Sequence, residues 1–286
     1  MLISDFYKLY KENGLSKEVI SHFRGIIHSF YKQHKRNFPF RENITPFKVL
    51  VSEIMLQQTQ TGRVSVKFLN FVEKFPSFLA LSKAPLEDVL KAWQGLGYNR
   101  RAIALKKISE IVMKDYNGKL PDSIKILNSF PQIGHNTASS ILTFAFNKPT
   151  IFIETNIRRV YIYFFFHNKN NISDKEIIPI IEKTIDKLNP REWYYALMDY
   201  GVMLKKSHPD LHKQSAQYRK QTPFKGSNRQ IRGKLLKLLL RAKTLKKFEI
   251  EKEFNNIKPD KLKEILIQLK KEGFIKIEGT KVQIVR

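Results

Sequence analysis

The stretch Leu127-Asn128-Ser129-Phe130-Pro131-Gln132-Ile133-Gly134-His135-Asn136-Thr137-Ala138 decides the fold. It predicts a helix, a tight turn over Pro131 to Gly134, and a second helix starting near Asn136. Gly134 is expected to adopt a backbone conformation closed to most residues and to leave room for a close neighbour. Amides exposed at such a turn and at the following helix start can hold a phosphate, directly or through a bound cation. Gln132, Ile133, Gly134, His135, Asn136 and Thr137 together form this expected phosphate-binding hairpin.

The charge of the chain says which phosphate. Fifty-two Lys and Arg stand against 26 Asp and Glu, a formal net charge of +26 spread along 286 residues. A broad polyanion-binding face follows, and the hairpin makes DNA the leading partner, although charge alone does not separate DNA from RNA or an anionic membrane. No apolar run approaches the roughly 20 residues needed to span a bilayer. The N-terminus, Met1-Leu2-Ile3-Ser4-Asp5-Phe6, has neither a basic leader nor a signal-like apolar core, so a cytoplasmic, nucleoid-associated protein with no membrane partner is expected. Cysteine is absent, which excludes disulfides, cysteine nucleophiles, cysteine-rich zinc fingers and cysteine-held iron–sulfur clusters. The seven histidines include no His-Glu-x-x-His pattern, and His135 has no ligand cluster around it in sequence. No metal and no cofactor are expected, except that a monovalent cation at the hairpin is allowed.

Helical periodicity dominates residues 1 to 215. Val19, Phe23, Ile26, Ile27 and Phe30 are spaced as on an amphipathic helix over Glu18 to Tyr31. Further helices are predicted over Phe47 to Leu56, Val64 to Phe75, Pro85 to Gln94, Ala102 to Tyr116, Ser123 to Asn128, Thr137 to Phe146, Asn156 to Phe165, Asp174 to Leu188 and Trp193 to Leu204. Residues 206 to 228 lose this periodicity and carry Pro209, Pro223, Gly226 and Ser227, which marks a linker. Beyond it, helices over Arg229 to Lys243, Leu245 to Phe254 and Pro259 to Glu272 precede alternating residues around Glu278-Gly279-Thr280, a β-hairpin signal. Three helices followed by a hairpin is the order of a winged helix. Residues 224 to 286 hold 18 Lys and Arg against 7 Asp and Glu, so this module is basic as well. The expected organisation is an all-α domain over 1–215 with two helical subdomains, a linker over 216–228 and a small α+β winged-helix module over 229–286, acting as a monomer.

Two carboxylates stand out against this basic background. Glu53 lies among Val51, Ile54, Met55 and Leu56, and Glu154 follows Thr150-Ile151-Phe152-Ile153 just ahead of a predicted helix. Isolated carboxylates in apolar settings suit an enzyme acting on DNA better than a passive binder. Glu53 could equally be a helix-surface residue or a salt-bridge partner, and Glu154 a helix cap.

The motifs resemble those of the helix-hairpin-helix DNA glycosylases, most closely the adenine glycosylase branch. Phe38-Pro39-Phe40-Arg41 is similar to that branch's Leu-Pro-Trp-Arg segment, and Ser52-Glu53-Ile54-Met55-Leu56-Gln57-Gln58-Thr59-Gln60 to its catalytic-glutamate motif. Trp93-Gln94-Gly95-Leu96-Gly97-Tyr98, the hairpin, Ile153-Glu154-Thr155-Asn156-Ile157-Arg158-Arg159-Val160 and Ala196-Leu197-Met198-Asp199-Tyr200-Gly201 extend the likeness over roughly residues 15 to 206. Three departures stand out. The region Lys205 to Lys220 lacks the four-cysteine cluster loop that many members carry, Glu154 stands where the family places an aspartate, and a winged helix replaces the usual Nudix-like domain.

The resemblance implies a helix-hairpin-helix glycosylase fold and a base-excision enzyme acting on damaged or mismatched double-stranded DNA. Glu53 would be the general acid that protonates a departing purine, its pKa raised by the apolar setting. Glu154 would stabilise an oxocarbenium-like sugar, helped by a helix's positive end. Bifunctional relatives carry a lysine at the position of Asn136. An asparagine amide cannot attack the sugar as an amine, so base removal without efficient strand cleavage is expected. Gln57, Gln58 and Thr59 would read or fill the gap left by a flipped base, with Tyr98 stacking and Phe40 and Arg41 assisting recognition. Arg41, Arg100, Arg101, Arg158 and Arg159 are candidate phosphate contacts. Adenine opposite 8-oxoguanine or guanine is the leading substrate. The same fold acting on thymine or uracil opposite guanine, or on an oxidised pyrimidine, is the nearer rival, and a non-catalytic DNA-binding protein is the more distant one.

Overall fold

The computed structural model describes residues 3–167, 169–220 and 223–285. The helices, in chain order, are α1 (Ile3–Asn13), α2 (Lys17–His34), α3 (Pro46–Leu56), α4 (Thr61–Lys74), α5 (Phe78–Lys83), α6 (Leu86–Trp93), α7 (Arg100–Asp115), α8 (Ile124–Ser129), α9 (His135–Phe146), α10 (Thr155–Phe165), α11 (Asp174–Thr184), α12 (Pro190–Ser207), α13 (Asn228–Ala242), α14 (Lys247–Glu253) and α15 (Pro259–Lys271). Three strands, β1 (Thr244–Lys246), β2 (Ile275–Glu278) and β3 (Lys281–Ile284), complete the described fold. The chain divides into two compact units. One comprises the chain up to Val49 with Asp122–Ser129 and Ile133–Lys220; the other comprises Leu50–Pro121, Phe130–Gln132 and the segment beyond Lys220.

The first unit is organised around α10 and α12. Phe23 from α2 sits at the centre of an aromatic core, edge-on to Phe164 at 5.1 Å, Phe165 at 4.9 Å and Trp193 at 5.7 Å. Edge-to-face geometry sets the positive ring edge against a negative face. Gly201 of α12 is required by the packing of α10: a Cβ there would come within 2.4 Å of the Asn156 carbonyl oxygen. The two helices meet with no side chain between them at that point, just where α10 begins.

Asp199, two residues earlier on α12, holds a buried charge cluster. Its carboxylate accepts from the Arg36 backbone amide (2.9 Å) and Arg36 Nε (2.8 Å), and from both terminal nitrogens of Arg41 (2.9 Å each). The Asp199 side chain is 1% exposed and that of Arg41 6%. Removing one member of a buried ion pair strands its partner and costs about 3–5 kcal/mol. Asp199→Asn is therefore expected to lower unfolding stability by about that amount in denaturant titration; a loss under about 1 kcal/mol would show that Arg36 and Arg41 find other acceptors or water.

The second unit packs α4 to α7 around Phe71 and Trp93, whose rings meet edge-on at 5.8 Å. Its C-terminal part has the winged-helix order. Leu235, Leu239, Ile265, Leu269, Phe274 and Val282 are buried beneath an antiparallel sheet of order β1-β3-β2. Ile275 pairs with Ile284 and Glu278 with Lys281, and Gly279 turns the hairpin at φ +56°. The stretch expected as a helix from Leu245 begins instead as strand β1, where Leu245 pairs with Val282. Pairing with β3 outweighs a helical propensity that only seven following residues could sustain. Helix α11 also ends at Thr184, short of the expected Leu188, because Arg24 takes the carbonyls of Thr184 (2.9 Å) and Ile185 (2.6 Å) and Asp186 caps a turn over Leu188 and Asn189.

Candidate functional site

Within the first unit the hairpin's outgoing helix and Glu154 are tied together. Ile133 is buried at 4% exposure, so its side chain anchors the turn in the core. The left-handed residue is Gln132, at φ +62°, and not Gly134, whose φ of −93° and ψ of 177° any residue can adopt. Gly134 instead contributes a bare surface, since a Cβ built on it meets nothing within 4 Å. It is the N-cap of α9, without a side-chain cap and with no acidic residue in the first turn. No acidic side chain of its first turn offsets the positive end of this twelve-residue helix, and Gly134, His135 and Asn136 beside it are exposed. Asn136 does not cap the helix; its Nδ2 donates to the carbonyl of Ile153 at 3.0 Å, fixing α9 against the residue that precedes Glu154.

Glu154 is the N-cap of α10. Its Oε1 accepts from the amides of Asn156 (2.9 Å) and Ile157 (3.1 Å), so the capping role is realised. Burial raises its pKa above the usual glutamate range, opposed by those two amides and by Arg158 and Arg159. Part of its surface still reaches solvent, and desolvation by its dense surroundings outweighs the opposing groups. Arg159 is itself buried and donates to Asn156 Oδ1 (2.8 Å) and to the Gly201 carbonyl (3.1 Å), bracing the same turn from below.

In the second unit, Glu53 is half-buried on α3 between Val51, Ser52, Ile54 and Met55, all buried. The end of α3 is held by Arg101 of α7, which sequence reasoning placed among the phosphate contacts. Its guanidinium is buried and donates to the carbonyls of Ile54 (2.8 Å), Met55 (2.9 Å), Leu96 (3.1 Å) and Gly97 (3.0 Å), to that of Gln57, and to Thr59 Oγ1 (3.0 Å). Burial pulls its pKa down to about 10, which leaves it charged at neutral pH. Arg101 therefore satisfies the orphan carbonyls at a helix C-terminus and joins the Gln57–Thr59 loop to the Leu96–Tyr98 turn. Thr59 is used up in this junction; its hydroxyl also donates to Leu96 O at 3.4 Å. Gln57 Nε2 donates to Gln132 O at 3.2 Å, and Gln58 is exposed at φ +54°.

Several expected recognition residues are buried or paired within the fold. Phe40 is buried and stacks on Phe38 at 5.0 Å, and Arg41 is locked to Asp199 with its guanidinium 4.4 Å from the Tyr195 ring. Arg158 makes a two-point pair with Asp174 at 2.6 and 2.8 Å. Of the five arginines proposed for phosphate, Arg100 is the one whose side chain stays largely exposed, at 63%. Among the described residues no cluster of three or more metal-ligating side chains occurs, and no helix is long and apolar enough to cross a membrane.

The segment after α12 holds no cysteine, so a cysteine-held iron–sulfur cluster does not fit it. Backbone and ring contacts organise it instead. Ile172 pairs with the loop through Ile172 N to Gln214 O and Ala216 N to Ile172 O, both 2.9 Å. His212 Nδ1 lies 2.7 Å from Pro209 O, and its ring meets Tyr218 edge-on at 4.9 Å.

Residues 51–187 match the profile of the HhH-GPD superfamily of base excision DNA repair proteins. Just under half of this chain is thus similar to that superfamily. An adenine DNA glycosylase of Buchnera aphidicola is 38% identical over 167 residues, which is 57% of this chain and 47% of that relative; the chain thus spans about half the length of the curated relative it matches. A solved thermostable thymine-DNA glycosylase is 27% identical, with a TM-score of 0.58 over 64% of this chain and 86% of that one. A trapped covalent intermediate of endonuclease III with DNA shares the fold at 20% identity, with a TM-score of 0.52 over 73% of this chain and 91% of that one. The matched residues include the hairpin and both carboxylates, Glu53 and Glu154.

Proposed function

We propose that this protein is a monofunctional DNA glycosylase that hydrolyses the bond between deoxyribose and a mispaired base, with adenine opposite 8-oxoguanine or guanine as substrate. The observation that carries this reading is the Asn136–Ile153 hydrogen bond. It couples an exposed helix start with no acidic residue in its first turn, suited to a backbone phosphate, to the residue before a desolvated carboxylate. Asn136 and Glu154 are also the residues that would distinguish hydrolysis from lyase chemistry.

In this mechanism Glu53 donates its proton to a ring nitrogen of the flipped base. The C1′–N bond then breaks with its electron pair leaving on the base, and Glu154 stabilises the positive charge that develops on the sugar. Water adds to C1′ and returns its proton to the Glu53 carboxylate, which restores the enzyme. The hairpin amides, with or without a monovalent cation, hold the phosphate. Residues 1–215 act as the glycosylase domain, 216–228 as linker and 229–286 as a winged-helix domain.

The test is a panel of duplexes carrying single mispairs or lesions, each incubated with the protein and scored with and without alkali. Release of adenine opposite 8-oxoguanine ahead of the other pairs is expected. Because Asn136 has no amine to form a Schiff base, strands should break chiefly after alkali, and borohydride should trap little enzyme on substrate. Efficient trapping would require another amine and would overturn the monofunctional reading. The likeness to the thymine-DNA glycosylase favours a second reading, thymine opposite guanine, which the same panel separates by its preferred pair.

A further inference from the structure

We infer that the outward face of α13 is a further binding surface for duplex DNA, gripping about three phosphates of one strand. The inference rests on the glycosylase reading above, in which double-stranded DNA is the partner. Helix α13 carries five Lys and Arg and no acidic residue over Asn228–Ala242. Its apolar side, Ile231, Leu235, Leu236, Leu239 and Leu240, is buried. Lys234, Lys237 and Arg241 recur at intervals of three and four on the opposite side, and all three are exposed.

The spacing suits a nucleic-acid backbone. Lys234 and Arg241 are seven residues apart, a rise of about 10.5 Å, and one strand of a duplex carries about three phosphates over that length at about 3.4 Å each. Lys234 lies 3.4 Å from Glu253 Oε1 yet stays 54% exposed. An exposed pair of this kind is worth about 0–1 kcal/mol, too little to hold the lysine from a phosphate. Helix α15, the third of the module, offers no such face. Asp260, Glu264, Ile267 and Lys271 share its exposed side, so a phosphate there would meet two carboxylates and an aliphatic side chain.

The remaining arginines of α13 fix where this face lies within its unit. Arg229 donates to the Tyr98 hydroxyl at 2.8 Å, and Arg232 pairs with Glu272, which also reaches Arg100 at 3.5 Å. The start of α13 therefore abuts the turn before α7, with Arg229 and Arg232 acting as fasteners. Lys237 and Arg241 take no part in that fastening and lie further along the same helix. Phosphate contacts position a duplex and carry no base identity. The C-terminal segment thereby lengthens the grip on DNA without adding sequence preference.

The experiment measures equilibrium binding of the full chain across a salt series, on a duplex holding an abasic-site analogue and on the undamaged duplex of the same length. Lys234→Gln/Lys237→Gln/Arg241→Gln should make the slope of log affinity against log salt shallower by about 2.7 on both duplexes, about 0.9 for each phosphate released. Lys237→Gln alone should remove about 0.9, and it carries the test if unfolding midpoints show the triple variant destabilised. Taking the same charge from α15, as Lys263→Gln/Lys270→Gln/Lys271→Gln, should change the slope by less than about 0.9. An unchanged slope in the α13 variants would make that face solvated or protein-binding and overturn the inference. Equal flattening by the α15 variant would reduce the effect to overall charge and overturn it as well. A wild-type chain that excises no base from any duplex, while the slopes of the two triple variants still differ, would strike the glycosylase reading alone.

Discussion

Glu53→Gln is expected to abolish base release while leaving affinity for lesion-bearing DNA within a few-fold of wild type. The exchange preserves size and removes the one proton that the leaving base requires. General acid catalysis contributes about 10²–10⁴-fold, and the loss should reach or exceed the upper part of that range where no other donor is available. The scaffold should tolerate it. Val51, Ile54 and Met55 bury the flanking faces of α3, and Arg101 closes its C-terminus through the Ile54 and Met55 carbonyls, none of which involves the Glu53 carboxyl. Unfolding stability measured on the same variant separates a folding defect from a chemical one. Single-turnover excision, beside a binding titration on a non-cleavable analogue, checks the expectation. Excision near the wild-type rate would move proton donation to another group.

The hairpin, most helices and the capping position of Glu154 were legible in sequence because their signals are local. Apolar spacing marks a helix face, and Pro131 to Gly134 marks a turn whatever surrounds it. Long-range pairing was not legible. Arg41 resembles a surface cation until Asp199, 158 residues later, claims it, and Arg101 reads as a phosphate contact until the carbonyls of Ile54 and Met55, about 46 residues earlier, are seen to converge on it. The same limit hid Gly201, whose necessity comes from the backbone of α10 rather than from its own turn. Gln132 took the left-handed position expected of Gly134, since the turn places its positive φ two residues earlier and uses the glycine for access instead. Strand β1 escaped because three residues carry too little alternation to compete with a helical pattern around them.

Glu154 separates two roles that one geometry serves at once, and its variants should divide them. As a cap, its carboxylate satisfies the amides of Asn156 and Ile157, and loss of an N-cap costs about 0.5–2 kcal/mol. As a catalytic carboxylate, it must carry charge in a place where burial resists charge. Its folded-state pKa is raised, so the folded chain binds that proton more tightly than the unfolded chain does. The ionised residue then costs stability increasingly as pH rises from the ordinary glutamate value through the raised one. Glu154→Gln removes this cost and keeps an oxygen for the amides, so it should hold or gain stability at neutral pH while slowing the chemical step far more than DNA binding. Glu154→Asp keeps both charge and cap but is one methylene shorter, and a displacement of about 1 Å can cost roughly 100-fold in rate. Partial activity is expected from it, with an acid limb in the pH–rate profile that the Gln variant lacks. Single-turnover rates across pH, set beside unfolding stability for both variants, decide the matter. If Glu154→Gln loses stability at neutral pH yet excises normally, the residue is a cap, and the positive charge on the sugar must be met by another group.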